Sequence, residues 1–276
     1  READFLIGYN YQSLGETKRS NEYYAMVKKD TADKGLYYNA QKNMAQNYLT
    51  QGKETEAAQA LERIIMAYPE NDLGIDAYFW VAKKCTEKKR YTDAVLVLER
   101  ARENKEKENR ILEYSYLLAE AYRGAGNYAG AIGEYKECIK DNTADERFKG
   151  PAFLGLGRVS ESQNDLSRAQ GYYEQAISFN PEDNTVTMRA RFYLADILYR
   201  KKEYGDAARI FMMVTILYSD NKFVPEALYK AAEAFRHAGK LSEARKAFSD
   251  FIKRYPRHQY LPSAKQNLES IGNEKT

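Results

Sequence analysis

The sequence predicts an all-α protein: seven consecutive helical hairpins closed by one C-terminal helix, with no strand. Three observations carry this reading. First, an alanine behind a turn-forming stretch recurs as Ala57, Ala94, Ala131, Ala169, Ala207 and Ala244, at steps of 37, 37, 38, 38 and 37 residues. One step of 37 before Ala57 lies Ser20, which opens a weaker seventh copy. Self-similarity at such a period marks a repeat architecture. Second, a small residue stands twelve positions before each of these: Gly8, Ala45, Ala82, Ala119, Gly157, Ala195 and Ala232. Four positions after Ser20 and the six alanines come Tyr24, Leu61, Leu98, Tyr135, Tyr173, Phe211 and Phe248, and three further on Val27, Ile64, Ala101, Cys138, Ala176, Val214 and Phe251. These are the spacings of a buried helical stripe. Third, the prolines and the glycines Gly15, Gly52, Gly126 and Gly239 fall at turns, between hairpins or in a first helical turn.

In chain order the hairpins start near residues 1, 38, 75, 112, 150, 188 and 225. The small residues mark where two helices cross closely, because bulk at such a contact over-packs it by roughly 1–3 kcal/mol. Gly15, Gly52, Gly126 and Gly239 share one turn position, as expected where a helix ends in a left-handed residue. Thr55, Thr92, Ser167 and Ser242 are then expected as N-caps of the second helices. Glu56, Asp93, Asp206 and Glu243 follow, in the first turn that the helix dipole favours for an acid. All six prolines are expected between hairpins or in a first turn, where the missing N–H costs least. The last segment, 262–271, places Leu261, Ala264, Leu268 and Ile271 on one side and polar residues on the others, the pattern of a solvating end helix. A single domain spanning residues 1–276 is expected. Because the chain starts at Arg1 with no initiator Met, a trimmed N-terminus is expected too.

Composition narrows the function classes. The 43 basic and 40 acidic residues leave a net charge of +3, which argues against a nucleic-acid binder built on a broad basic face. The longest apolar run, from Ile210 to Tyr218, is too short to span a bilayer. Cys85 and Cys138 form no CxxC motif and sit at stripe positions, so they read as buried free thiols. Tyr is in excess at 24 copies, a residue suited to packing seams that end at water and to binding surfaces.

Chemistry-bearing patterns are few. Glu233 and His237 stand one turn apart, but no third ligand is evident, and a surface pair explains them equally well. The run G-A-G-N-Y-A-G around Gly126 lacks the ending of a phosphate loop and follows no predicted strand. Lys83, Lys84, Lys88, Lys89 and Arg90 form a basic run that reads as a solvated helix end. Two histidines placed this way support no nucleophilic triad. No catalytic residue, metal or cofactor is therefore assigned.

The small–large columns, with Tyr11, Tyr48 and Tyr122 three residues after the first small position and Pro69, Pro181 and Pro256 closing their repeats, resemble the tetratricopeptide repeat family. The resemblance covers nearly the whole chain. It departs where the family has Trp, replaced here by Tyr78 or Phe153, and each unit exceeds the 34-residue family period. The closures IIMAYPENDLGIDA and FIKRYPRHQYLPSA are similar to those of bacterial envelope proteins of the family, namely outer-membrane assembly lipoproteins and periplasmic factors. The resemblance implies a right-handed α-solenoid whose first helices line a concave groove. By the family's geometry the partner-facing candidates are Phe5, Tyr9, Lys42, Phe79, Trp80, Lys83, Tyr116, Glu120, Arg123, Arg158, Phe192, Asp196, Tyr199, Tyr229 and Arg236. Phe5, Phe79, Tyr116, Phe192 and Tyr229 form one aromatic column, which either grips an extended peptide or packs against the neighbouring hairpin. The family's clamp for a C-terminal carboxylate is missing, since Gln46 and Trp80 stand where it needs Asn.

The implied function is a scaffold that holds a protein or peptide partner in the groove, without nucleic acid and without stable membrane insertion. A periplasmic or envelope location is expected from the closures, with the cytoplasm as the alternative. Two other functions stand as alternatives: an array that binds glycan or peptidoglycan strands through the same aromatic column, and a docking segment of a larger enzyme or regulator.

Overall fold

A computed structural model describes residues 2–29, 34–68, 70, 72–103, 110–140, 146–179, 184–220 and 222–273. Among them fifteen α-helices alternate with short connections, and no strand occurs. The first hairpin is α1 (Glu2–Ser13) and α2 (Thr17–Tyr24), the second α3 (Lys34–Thr50) and α4 (Glu54–Ala67), the third α5 (Ile75–Glu87) and α6 (Tyr91–Arg100). The fourth is α7 (Ile111–Gly124) and α8 (Tyr128–Cys138), the fifth α9 (Lys149–Ser162) and α10 (Leu166–Phe179). The sixth is α11 (Asn184–Arg200) and α12 (Tyr204–Leu217), the seventh α13 (Phe223–His237) and α14 (Leu241–Arg254), and α15 (Leu261–Asn273) ends the array. Contacts gather into two compact units, residues 1–134 and 135–276, described separately below.

Every hairpin turns in the same way. The residue seven positions after the first small column has positive φ in all seven: Gly15, Gly52, Lys89, Gly126, Asn164, Lys202 and Gly239. Its N–H and the next one reach back to the helix, as in Gly52 N to Leu49 O at 3.0 Å and Lys53 N to Tyr48 O at 2.8 Å. This is the Schellman closure. The second helix starts at once, so its N-caps are Lys53, Arg90 and Lys240, without a side-chain cap bond. The expected hydroxyl caps Thr55, Thr92, Ser167 and Ser242 instead lie at the second helical position, because the closure leaves no extended residue to hold them. Two hairpins do carry a side-chain cap at the earlier place: Asn127 Oδ1 accepts from Gly130 N and Asp165 Oδ1 from Arg168 N, both at 3.0 Å. The first-turn acids stand as expected in α4, α6, α12 and α14. Pro151, Pro225 and Pro262 fall in first turns and Pro256 just after α14; Pro69 and Pro181 lie outside the described residues.

Burial differs between the two helices of a hairpin, since the first is covered by its own partner and by the next hairpin. α13 buries Val224, Pro225, Ala227, Leu228, Tyr229, Ala231, Ala232 and Ala234, whereas α14 buries only the stripe Ala244, Ala247, Phe248 and Phe251. In the first unit one core lies under α2–α4, around Tyr24, Met44 and Ala60, and another under α5–α7, around Phe79, Leu98 and Leu118. Ser20, at the weak first copy of the alanine column, is buried and accepts from Asn47 Nδ2 at 3.0 Å. In the second unit the cores centre on Tyr173, Phe192 and Phe211, and on Phe248, Phe251 and Ile271. Cys85 and Cys138 are buried free thiols. Among the described residues no helix is long and apolar enough to cross a membrane.

Candidate functional site

The first helices carry the predicted site, and in both units their outer face is stitched by ion pairs between consecutive hairpins. In the first unit Lys42 pairs with Asp72 at 3.2 Å and Lys83 with Glu113 at 2.9 Å, each across 30 residues. Arg110 pairs with Asp76 across 34 residues and with Glu113 at 2.6 Å. Separations of 30 and 34 are one repeat less two turns or one, the offset at which parallel helices of neighbouring hairpins face each other. Burial pushes the Glu113 carboxyl up, but Arg110 and Lys83 outweigh that and hold it below the usual carboxylate range. Glu120 and Arg123 pair within α7 at 2.7 Å.

Part of the aromatic column does not face outward. Phe79, Phe192 and Tyr229 retain 2%, 4% and 7% exposure, so their rings belong to the seams and not to an open groove. The reason is that each next element supplies an aromatic partner. Phe79 meets Tyr114 at 6.5 Å, with the Arg110 guanidinium 4.9 Å from its centroid. Phe192 meets Phe223 edge-on at 5.1 Å, and Tyr229 stacks on Tyr260 at 4.6 Å. Phe5 is half-buried against Tyr24 at 5.5 Å, and Tyr116 is half-buried. Trp80 packs against the core under α5–α7, while Tyr9 is exposed.

In the second unit the carboxylates of this face are already engaged. Asp196 and Glu226 pair with Lys230 at 2.6 and 3.4 Å. Burial lowers the Lys230 ammonium, but these two acids prevail and raise it above its ordinary value. Glu161 accepts from Tyr173 at 2.8 Å and pairs with Arg200 at 3.2 Å, and Glu233 accepts from Tyr229 at 3.0 Å. On this face three guanidinium groups, Arg158, Arg189 and Arg236, are left without a carboxylate among the described residues. The Arg158 guanidinium lies over the Tyr193 ring, 4.2 Å from its centroid. Arg189, one turn before Tyr193 on α11, and Arg236 on α13 each hold a buried Nε–H that finds no acceptor. Tyr199 and His237 close this end of the face, meeting at 5.8 Å, with His237 stacked on Tyr204 at 5.0 Å. Lys230, Arg110 and Tyr193 were not predicted. The signal for the two cations was present as opposite charges 34 residues apart, at Lys230 and Asp196 and at Arg110 and Asp76.

Two family models, both described as tetratricopeptide repeat, match the chain: one at residues 42–109, 87–146, 116–185 and 149–221, the other at 226–258. The chain belongs to the tetratricopeptide repeat family. No curated protein matches it in sequence. Among solved structures it is similar to a tetratricopeptide repeat protein from Parabacteroides merdae, at 16% identity and TM-score 0.53 over 98% of both chains. It is also similar to PilW, a type IV pilus biogenesis factor, at 17% identity and TM-score 0.58, over 82% of this chain and 97% of that one. YrrB, a tetratricopeptide protein with an unusual peptide-binding site, aligns at 19% identity and TM-score 0.50, over 76% of this chain and 99% of its own. These likenesses concern the fold.

Proposed function

We propose that this tetratricopeptide repeat protein is a non-catalytic interaction scaffold, and that the first-helix face of its second unit takes an extended, acidic segment of a partner protein. The observation that carries the reading is the imbalance on that face: its acids are internally paired, while Arg158, Arg189 and Arg236 have no carboxylate among the described residues. A guanidinium with a buried, unmet N–H is costly alone and well suited to fork onto an incoming carboxylate. Tyr193 and Tyr199 beside these arginines offer rigid, half-buried rings to the same segment. The glycan alternative loses support, since Phe79, Phe192 and Tyr229 have no open ring face on which a sugar would stack. An envelope location belongs to the same reading, supported by the Tyr–Pro closures and by the likeness to a pilus biogenesis factor. Recovery of the native protein from the cytosol alone would remove that part.

Selection of a random extended-peptide library on the immobilised protein provides the test. Asp- and Glu-rich sequences are expected to enrich. R158Q, R189Q and R236Q are each expected to weaken them about tenfold or more, because a hydrogen bond to a charged group contributes roughly 1.5–3 kcal/mol. Enrichment of neutral or basic sequences, or binding indifferent to all three substitutions in folded protein, would sink the proposal.

A further inference from the structure

A repeat array contains its own controls, because each hairpin shows what the fold demands at a given position. The seam between the first and second hairpins is built of different chemistry from the rest. Thr17, Ser20, Asn21 and Tyr24 share one face of α2, at the spacing i, i+3, i+4, i+7, and Asn43 and Asn47 on α3, with Gln51 just after it, face them. Gln51 Nε2 donates to Thr17 Oγ1 at 3.0 Å. Asn47 Nδ2 donates to Ser20 Oγ at 3.0 Å and to Asn21 Oδ1 at 2.8 Å. Asn43 Nδ2 donates to the Tyr24 hydroxyl at 2.9 Å, and that hydroxyl donates to Gln12 of α1 at 2.7 Å. The partners descend along α3 as they ascend along α2, so the bonds form a ladder between antiparallel helices. Water is excluded from its centre: Ser20, Asn47 and Asn21 are 0%, 2% and 7% exposed.

Later hairpins close the same seam without a ladder. In the place of Ser20 each of them has Ala, and in the place of Asn47 stand Ala121, Val159, Ile197 and Ala234, all fully buried. The third hairpin has Lys84 there, paired with Glu54 at 2.8 Å. α6 packs on α7 with Ala94, Val95 and Ala121 at the places of Ser20, Asn21 and Asn47, and α12 packs on α13 with Ala207, Ala208 and Ala234. Packing therefore does not demand the amides. Adhesion does not demand them either, since a buried hydrogen bond contributes little net, and apolar groups of the same volume do as well or better. Asn21 even holds a buried Nδ2 that finds no acceptor among the described residues, which is a cost. The apolar cluster of Tyr24, Val27, Ala40 and Met44 is what holds the two hairpins together.

We infer that the ladder is a register key, which fixes how the first hairpin sits along the second. Apolar contacts are non-directional, so a seam of alanines opposes sliding only weakly. Buried polar pairs are directional, and fixing the register of packed helices is their best-attested use. By the spacing of the ladder, a slip of one turn sets Asn43 against Val27 in one direction and the Tyr24 hydroxyl against Ala40 in the other. Either slip buries a polar group without its partner. One turn is about 5.4 Å, enough to take Phe5 and Tyr9 of α1 out of line with Lys42 of α3. The key thus keeps the first-helix faces of these two hairpins in line, and Ser20, the weak copy of the alanine column, is its central rung.

Transplanting an apolar seam from elsewhere in the array provides the test. S20A/N21V/N47A installs the residues of α6 and α7, S20A/N21A/N47A installs those of α12 and α13, and N47A alone removes the central donor. The two transplants differ in bulk at residue 21, so one misfit there does not decide the outcome. Urea unfolding is expected to place the N47A midpoint below that of the unmodified protein, because Ser20 and Asn21 stay buried without their donor. At least one transplant is expected at or above the unmodified midpoint. In that transplant the backbone amide signals of residues 17–24, in a proton–nitrogen correlation spectrum, are expected to double or broaden, where the unmodified protein gives one sharp set. Two results overturn the inference. Both transplants less stable than the unmodified protein would make the ladder an adhesive, and a fully stable transplant with one sharp set would show that the register needs no key.

Discussion

At the scale of single residues, the left-handed turn position separates what the fold needs from what the sequence supplies. Four hairpins put Gly there, while Lys89, Asn164 and Lys202 hold φ of 59°, 60° and 65°. A β-carbon in this conformation costs roughly 1–2 kcal/mol, least for Asn, which visits the region readily. K202G should therefore raise stability by about 0.5–1 kcal/mol, because glycine's extra freedom in the unfolded chain takes back part of the relief. G239A, at the same position in the next hairpin, should lower it by a similar amount. Urea unfolding measures both, and a destabilised K202G would show that the lysine side chain contributes more than its backbone costs.

At the scale of the element, glycine and tyrosine columns act together. Tyr24 and Tyr173 occupy the large position of their second helices, and a β-carbon on Gly8 or Gly157 would lie 2.8 or 2.3 Å from their rings. Each phenol also donates to the residue four places after that glycine, Gln12 at 2.7 Å and Glu161 at 2.8 Å. Tyr135 has Ala119 and Arg123 at those places, and its ring lies instead against Gly155 of the next hairpin. G157A should accordingly cost about 1–3 kcal/mol by over-packing. G171A, in open space on α10, should gain about 0.5–1 kcal/mol from helix propensity. Equal effects in urea unfolding would discard the coupling. The hairpins themselves were legible because small, large and turn positions recur at one period, and each recurrence confirms the others. The facing of the aromatic column was not. Its position borders both groove and seam, and what turns Phe79, Phe192 and Tyr229 inward is an aromatic of the following element, Tyr114, Phe223 or Tyr260, each in a different register. A helical period describes one helix and holds no record of such a neighbour. The misplaced N-caps have the same origin, for whether Thr55 or Lys53 leads α4 depends on how tightly the preceding turn closes.

At the scale of the whole molecule, building seams from tyrosine makes the fold sensitive to base. Burial raises the phenols of Tyr24, Tyr114, Tyr122, Tyr173 and Tyr199, and it pushes Tyr229, beside Glu233, up to about 12. The Cys85 thiol is likewise pushed up to about 11 by burial and by the Glu62 carboxylate. In the unfolded chain these groups lose their protons near the ordinary values of about 8.5 for Cys and 10 for Tyr. Between those values and the raised ones the unfolded state binds fewer protons than the native state, so stability falls as pH rises. Lys230 acts in the same direction: burial lowers it, yet Asp196 and Glu226 keep it charged, and their attraction is lost once it deprotonates. The urea midpoint should thus hold steady to about pH 8.5 and fall progressively through about pH 12, where Tyr229 titrates. Tyrosinate absorbance should appear in two stages, exposed phenols first and buried ones only with loss of helix. Y229F removes one shifted group and should flatten the decline relative to its own neutral value. A midpoint unchanged between about pH 8.5 and 11 would mean that the seams open to water far more readily than the packing of Tyr173 on Gly157 and of Tyr229 on Tyr260 allows.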